Sequence, residues 1–414
     1  MQRRVAITGI GVISAIGTTR IEFFESLGAG VSGIRPLTSV PPGSVRFPNA
    51  AEIPGEFSGS VSGTSPGSLR ELSAKDLSFL DRFAQFALVA ARQAVADSGV
   101  EFDADLRESS AIVTGSCVGG QSTEDEGFYG LYALHSARFP PLSIPKVMAN
   151  AGASRISLEF GITGPVYTVA TACSSSNHAI GQAFWLVRSG AAEIALAGGS
   201  EAPFSLGLLK AWEAMRVVSP DTCRPFSRNR KGLILGEGAA MLVLEPLERA
   251  KARGAKIWGE IVGFGMSSDA YHLTQPSAAG AAKAMRACLA DAGLHPEQIG
   301  YINAHGTGTP ANDPTEAEAI RAAFGAHTEK IPVSSTKSMH GHALGAAGAI
   351  EAAATLFALH EGILPPTANF TELDPACDLD VIANTARAAV VQFALSNSFA
   401  FGGLNAVLAF KSDR

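Results

Sequence analysis

Three stretches of this chain carry side chains able to do covalent chemistry. Cys173 lies within Thr168-Val169-Ala170-Thr171-Ala172-Cys173-Ser174-Ser175-Ser176-Asn177. A thiolate attacks carbonyl carbon and holds an acyl group as a thioester. His305 lies within Asn303-Ala304-His305-Gly306-Thr307-Gly308-Thr309, and His342 closes Lys337-Ser338-Met339-His340-Gly341-His342. Imidazoles move protons and stabilise charge that develops on oxygen. A fourth stretch, Asn397-Ser398-Phe399-Ala400-Phe401-Gly402-Gly403-Leu404-Asn405, reads as a Gly-rich turn before a final strand. Taken singly, each has a bland alternative: a buried free thiol, a structural His, turn threonines at 307 and 309, a solvated Lys337, a Gly pair that merely ends a strand. One Cys at a helix start plus two Gly-flanked His on separate turns is much harder to explain that way. His340-Gly341-His342 lacks an i, i+4 helical face and a third ligand, which argues against zinc.

The elements around these residues position them. Tyr167–Ala170 is β-branched and apolar and reads as a buried strand, and 178–187 has apolar residues at helical spacing. Cys173 therefore sits at a strand-to-helix turn, where unpaired N–H groups favour a thiolate and can hold an oxyanion. A second candidate nucleophile is Cys117, in Gly115-Ser116-Cys117-Val118-Gly119, after the expected strand 111–114. Gly119-Gly120-Gln121-Ser122 is a poor helix start, so Cys117 is placed at a pocket wall. The chain also repeats itself. Ala94–Val100 parallels Cys288–Leu294, and each is a helix end followed by a strand running into a Gly-containing turn. The strand and turn at Cys173 have a counterpart at Val333–Thr336, a turn at 337–341, and a long Ala-rich helix from about His342 to His360. Two copies of a β/α unit, each donating a turn to one centre, imply a pseudo-twofold layered α/β fold.

Composition narrows the function classes. The 414 residues allow two or three core units, and 46% hydrophobic with 17% charged residues is a core-rich composition. A net charge of −6 argues against general nucleic-acid binding. Five Cys without a C-x-x-C pair imply neither a metal framework nor disulfides, and fit a reducing compartment. No apolar run approaches the ~18 residues of a membrane span, so the chain reads as soluble and cytoplasmic. The basic, apolar N-terminus mimics a signal peptide, but a strand over 4–9 ending in a Gly turn explains it better. Gly9-Ile10-Gly11-Val12-Ile13-Ser14 lacks the third glycine of a dinucleotide site. Residues 36–68, rich in Pro, Gly and Ser, read as a surface excursion, and 81–98 as a helix stopped by Gly99.

The motifs together resemble the β-ketoacyl-acyl-carrier-protein synthases, in particular the elongating KAS II type. The resemblance rests on Thr171-Ala172-Cys173-Ser174, His305-Gly306-Thr307-Gly308-Thr309, Lys337–His342 and Phe399-Ala400-Phe401-Gly402-Gly403, and covers essentially the whole chain. It implies a thiolase-like α/β fold of five α-β-α-β-α layers with two pseudo-twofold-related halves. Residues 1–255 form the half carrying the nucleophile and 256–414 the half carrying both His. It implies that Cys173 takes an acyl group from an acyl carrier protein, with the N–H groups of Cys173 and Phe401 as oxyanion hole. His305 and His342 then donate from Nε2 to the enolate left when malonyl carrier protein loses CO₂. Lys337 and Glu351 form a charged pair that orders His342. Thr307 and Thr309 bind the phosphopantetheine arm, and Phe401 is a gate with Gly402 and Gly403 as hinge. Val118, Ser143 and Trp212 line the acyl tunnel. No cofactor beyond the carrier's phosphopantetheine is implied, and the expected assembly is a homodimer or a heterodimer with a chain-length-factor-like subunit.

Departures from the pattern refine this. Ala400 replaces a usual Gly, which implies a stiffer gate loop; Leu404 replaces a usual Thr; His340 stands where Thr is frequent. Small residues at 118 and 143 imply a longer, bent or unsaturated chain. Trp212-Glu213-Ala214, Asp221–Ser227, Ser338-Met339-His340 and Asn405–Phe410 are similar to nodulation-type and polyene-type ketosynthases, which implies a specialised synthase. An inactive chain-length partner is the main alternative, and it usually lacks the Cys present here. A degradative thiolase needs a C-terminal Cys-x-Gly, a chalcone-synthase-like enzyme needs Asn in place of His342, and a papain-like protease needs a local Cys signature that is missing.

Overall fold

The computed structural model describes residues 2–53, 72 and 74–414. Eleven strands are hydrogen-bonded side by side: β1 (Val5–Ser14), β2 (Ser110–Gly115), β3 (Val166–Val169), β4 (Ile194–Glu201), β5 (Gly238–Pro246), β6 (Gly259–Ser268), β7 (Ile299–Asn303), β8 (Pro332–Ser334), β9 (Asp380–Val381), β10 (Phe393–Ala400) and β11 (Leu404–Lys411). Their order is β9-β8-β7-β10-β11-β6-β1-β5-β4-β2-β3. Read outward from the β6–β1 junction, the two sides match. On one side β1 and β5 are antiparallel, β5 and β4 antiparallel, and β4, β2 and β3 parallel. On the other, β6 and β11 are antiparallel, β11 and β10 antiparallel, and β10, β7 and β8 parallel. The junction itself pairs only Val5–Ile7 with Gly259–Ile261.

The period-2 alternation of the strands sorts their side chains into layers. Leu242 and Leu244 of β5 and Leu408 and Phe410 of β11 face inward to one shared core. That core is filled by helices α3 (Ser175–Ser189) and α7 (Ala347–Glu361). Met241 and Val243 face the opposite way, against α1 (Arg82–Ser98). Val407 and Ala409 face α5 (Ala278–Ala292) and α6 (Asn312–Phe324). The result is the five-layer α-β-α-β-α arrangement with two related halves. Helix α7 is buried from Ala347 through Leu359, as an Ala- and Leu-rich helix apolar on every face must be. Two further helices, α2 (Gln121–Tyr132) and α4 (Leu206–Met215), belong to the first half.

Several local expectations change. β1 does not end in a Gly turn but runs on to Ser14, because Gly9 and Gly11 let α1 lie directly on the strand. A Cβ at either would stand 2.0 and 1.9 Å from the carbonyl oxygens of Ala94 and Ala90. β3 is half-buried rather than buried, since it forms the edge of the sheet. A helix, α2, does follow Gly120, without a side-chain cap. The segment 337–340 is a short helical turn, and α7 starts at Ala347, leaving His342 in the connection. Of the expected excursion at 36–68, Val40, Phe47 and Ala50 are buried in a cluster with Leu233 and Leu235, and 54–68 lies outside the described residues. Among the described residues no helix is long and apolar enough to cross a membrane.

Candidate active site

Cys173 occupies the turn between β3 and α3. Ala172 before it has φ +49°, a left-handed conformation that costs a non-Gly residue roughly 1–2 kcal/mol. The turn is held by small side chains: Ser174 and Ser175 hydroxyls donate to the carbonyls of Thr171 and Ala172 at 2.8 and 2.7 Å. Ser175 Oγ also accepts the N–H of Thr171 at 2.9 Å. From α3, Asn177 Nδ2 reaches across to the carbonyls of Ser396 and Ala406 at 3.1 and 3.3 Å, anchoring this turn to the second half.

His305 follows β7. Its N–H and that of Gly306 are both accepted by the Glu316 carboxylate of α6, at 2.8 and 2.7 Å. Asn397 Nδ2 donates to the same carboxylate at 3.2 Å. His342 sits in the connection before α7, its N–H donating to Ile234 O at 2.7 Å. The two imidazoles meet edge to face with centroids 5.4 Å apart. Lys337, fully buried, pairs with Glu351 of α7. Its ammonium also donates to His305 O at 2.6 Å and lies 3.3 Å from His305 Nδ1. The pair expected around His342 thus forms, but its hydrogen bonds end on His305. An ammonium only donates, so Nδ1 of His305 is the acceptor and the ring proton sits on Nε2.

Cys173, His305, His342, Thr307, Thr309, Trp212, Phe401 and Gly403 line one cavity of about 390 Å³. Met215, Arg216 and Leu273–Pro276 also line it. Phe401 sits at the tip of the β10–β11 hairpin, with φ of +83° and +72° at Gly402 and Gly403. The Phe401 ring, about one-third exposed, stacks on Trp212 with centroids 6.3 Å apart and planes at 26°. Thr307 and Thr309 hydroxyls are 2.9 Å apart, and Thr309 Oγ1 accepts the N–H of Asn312 at the start of α6. Val118 and Ser143 do not line this cavity. Ser143 is buried, donating to Pro140 O at 2.7 Å, and Val118 is half-buried in the turn after β2. Cys117 packs against the apolar cluster that contains Leu233 and Leu344, as does Trp212.

The electrostatics follow from burial. Both His305 and His342 are held well below the usual imidazole range, first by desolvation and then by the Lys337 charge, so both are neutral near pH 7. His340 is pushed down to about 3 for the same reasons. Burial pushes the Cys173 thiol up to about 11, outweighing Lys337 and the N–H groups of Phe401 and Cys173 itself, which pull the other way. The resting nucleophile is a thiol, not the thiolate its helix-start position suggests. Two backbone N–H groups, those of Phe401 and of Cys173 itself, point at the sulfur.

Sequence reasoning names Asn397 only within the Gly-rich stretch and passes over Glu316 and Asp313. Asp313 bridges the N–H of Gly308 at 3.1 Å to that of Phe226 at 2.8 Å. Their signal was available: two acidic residues one turn apart at the start of the helix that follows His305-Gly306-Thr307-Gly308-Thr309.

A buried thiol sharing one cavity with two neutral imidazoles, on a doubled thiolase-type frame, defines a condensing enzyme. The chain belongs to the β-ketoacyl synthase family: the family's N-terminal domain model matches residues 2–250 and its C-terminal domain model 258–371. It is 47% identical over 413 residues to Nodulation protein E of Rhizobium sp. (strain N33), covering 99% of this chain and 100% of that one. It is 41% identical to 3-oxoacyl-acyl-carrier-protein synthase 2 of Synechocystis, covering 99% and 98%. Among solved structures, the ishigamide ketosynthase/chain length factor matches with a TM-score of 0.92 at 38% identity over the full length of both chains.

Proposed function

We propose that Cys173, His305 and His342 carry out a decarboxylative Claisen condensation between an acyl group and malonyl-acyl carrier protein. The observation that carries this is their convergence on one cavity that Thr307 and Thr309 also line. In the first half-reaction the Cys173 sulfur attacks the carrier thioester. The carrier thiol departs and takes up the proton that Cys173 gives up. In the second, the C–C bond to the malonyl carboxylate breaks and CO₂ leaves. The electron pair moves onto the thioester oxygen, where Nε2–H of His305 and of His342 stabilise it. The enolate carbon attacks the acyl-Cys173 carbonyl, and the oxyanion lies against the N–H groups of Cys173 and Phe401. Collapse releases the 3-oxoacyl chain on the second carrier, and Cys173 regains a proton from solvent.

Thr307 and Thr309 receive the phosphopantetheine arm, Phe401 gates the cavity on the Gly402–Gly403 hinge, and Lys337 with Glu351 holds His305. Trp212 bounds the acyl chain. The half-exposed edge strand β3, with unpaired backbone groups, supports assembly with a second copy. The likeness to a ketosynthase/chain length factor keeps a heterodimer open as the assembly, with this chain as its active subunit because Cys173 is present. The likeness to Nodulation protein E supports a specialised acyl chain rather than the housekeeping one. Comparing His305→Ala with wild type in single turnover tests the scheme. Malonyl decarboxylation falls about 10²-fold or more while Cys173 acylation is largely kept; unimpaired CO₂ release would reject the role of His305.

A further inference from the structure

Glu201, the last residue of β4, has no part in the scheme above, yet it is fully buried. Its carboxylate accepts four hydrogen bonds from neutral donors. Three come from the turn after β2: Ser116 Oγ–H at 3.1 Å, Cys117 N–H at 2.6 Å and Val118 N–H at 3.3 Å. The fourth comes from Gly345 N–H at 3.1 Å, in the connection from His342 to α7. The approach is close: a Cβ on Gly345 would stand 2.5 Å from Glu201 Oε2 and 2.4 Å from Cys117 N. Burial lifts the Glu201 carboxyl itself to about 7, and in its ionised form it pushes up both the Cys117 and the Cys173 thiols. Cys117, held by the shortest of the four bonds, packs against the same apolar cluster as Trp212, and Trp212 and the cluster's Leu233 both line the Cys173 cavity.

Two turns from different halves thus point backbone N–H groups at one spot, and one carboxylate satisfies them together. An apolar residue there leaves those donors buried and unpaired. We propose that Glu201 is a positioning residue for acyl selection: it ties the 116–119 turn to the 343–346 turn and fixes the wall beside which the acyl chain on Cys173 lies. This rests on the condensing function proposed above. A residue that merely supports folding slows every acyl donor alike. A residue that sets one wall of the chamber changes long and short chains by different factors.

The test uses the full-length protein with butyryl- and palmitoyl-acyl carrier protein, reading acylation of Cys173 by intact mass over time. Glu201→Gln keeps the size but turns an amide NH₂ toward N–H donors. The ratio of palmitoyl to butyryl kcat/KM is expected to change about tenfold or more, the factor set by losing one charge-assisted bond. Glu201→Asp keeps the charge on a shorter arm and is expected to change the ratio less; it also serves if the Gln variant does not fold. Equal slowing of both donors, or an unchanged ratio, in the variant that folds overturns the proposal. Wild-type protein that takes up neither acyl group rejects the condensing function itself, a separate outcome from an unchanged ratio.

Discussion

Lys337 Nζ stands 3.3 Å from His305 Nδ1 and 2.6 Å from the carbonyl oxygen of the same residue. One buried cation therefore fixes the backbone, the ring orientation and the tautomer of His305 at once. It also depresses the basicity of both imidazoles. A neutral His with its proton on Nε2 is a hydrogen-bond donor that does not titrate near pH 7, which is what an enolate oxygen needs.

Lys337→Met tests this arrangement. It leaves the Glu351 carboxylate buried without its partner, a loss of about 3–5 kcal/mol, and releases Nδ1 of His305. Malonyl decarboxylation is expected to fall about 10²-fold. In Lys337→Met/Glu351→Leu the unpaired charge is gone, so the melting temperature recovers while decarboxylation stays low. Recovery of the rate along with the melting temperature would show that the pair acts through folding alone.

The pH dependence of Cys173 alkylation is a second test. A thiol pushed up to about 11 is protonated throughout the neutral range, and its thiolate fraction grows about tenfold per pH unit below that value. The alkylation rate by iodoacetamide is expected to climb steadily from pH 7 to 9 without levelling. A plateau at or below pH 8 would mean that the helix start and Lys337 outweigh burial.

Val118→Phe probes the wall held by Glu201. Val118 N–H is bonded to that carboxylate at 3.3 Å, so the turn is fixed and the larger side chain is expected to take room from the acyl group. The longest acyl chain transferred to Cys173, read by mass, shortens. An unchanged profile would place the chain wholly along the Trp212 side of the cavity.

Much of this arrangement is written locally in the chain. The Asp81-capped helix stopped by Gly99, the strand before Gly115 and the repeat between 94–100 and 288–294 depend on neighbours in sequence, and each is found. The turns bearing Cys173, His305 and His342 carry enough small residues and Gly to be picked out singly, and the motif set implies their convergence. What escaped depends on partners far along the chain. Gly9 and Gly11 read as a turn, because the helix that needs their missing side chains lies more than 70 positions away. Glu201 looks like an ordinary end-of-strand carboxylate until Cys117 and Gly345 are brought to it. The protonation of Cys173 is hidden for a related reason: the N–H groups around it are legible locally, whereas its burial is a property of the whole assembly of layers.

The most direct measurement is a pulse and chase on the full-length protein. Acyl carrier protein bearing a labelled acyl group is added first, then malonyl carrier protein, with peptide mass spectrometry at each stage. The label is expected on Cys173 after the pulse and on a carrier-bound 3-oxoacyl product after the chase, with neither event in Cys173→Ala. A label on another residue, or product formed by Cys173→Ala at the wild-type rate, would contradict the assignment of Cys173 as the acyl-bearing nucleophile.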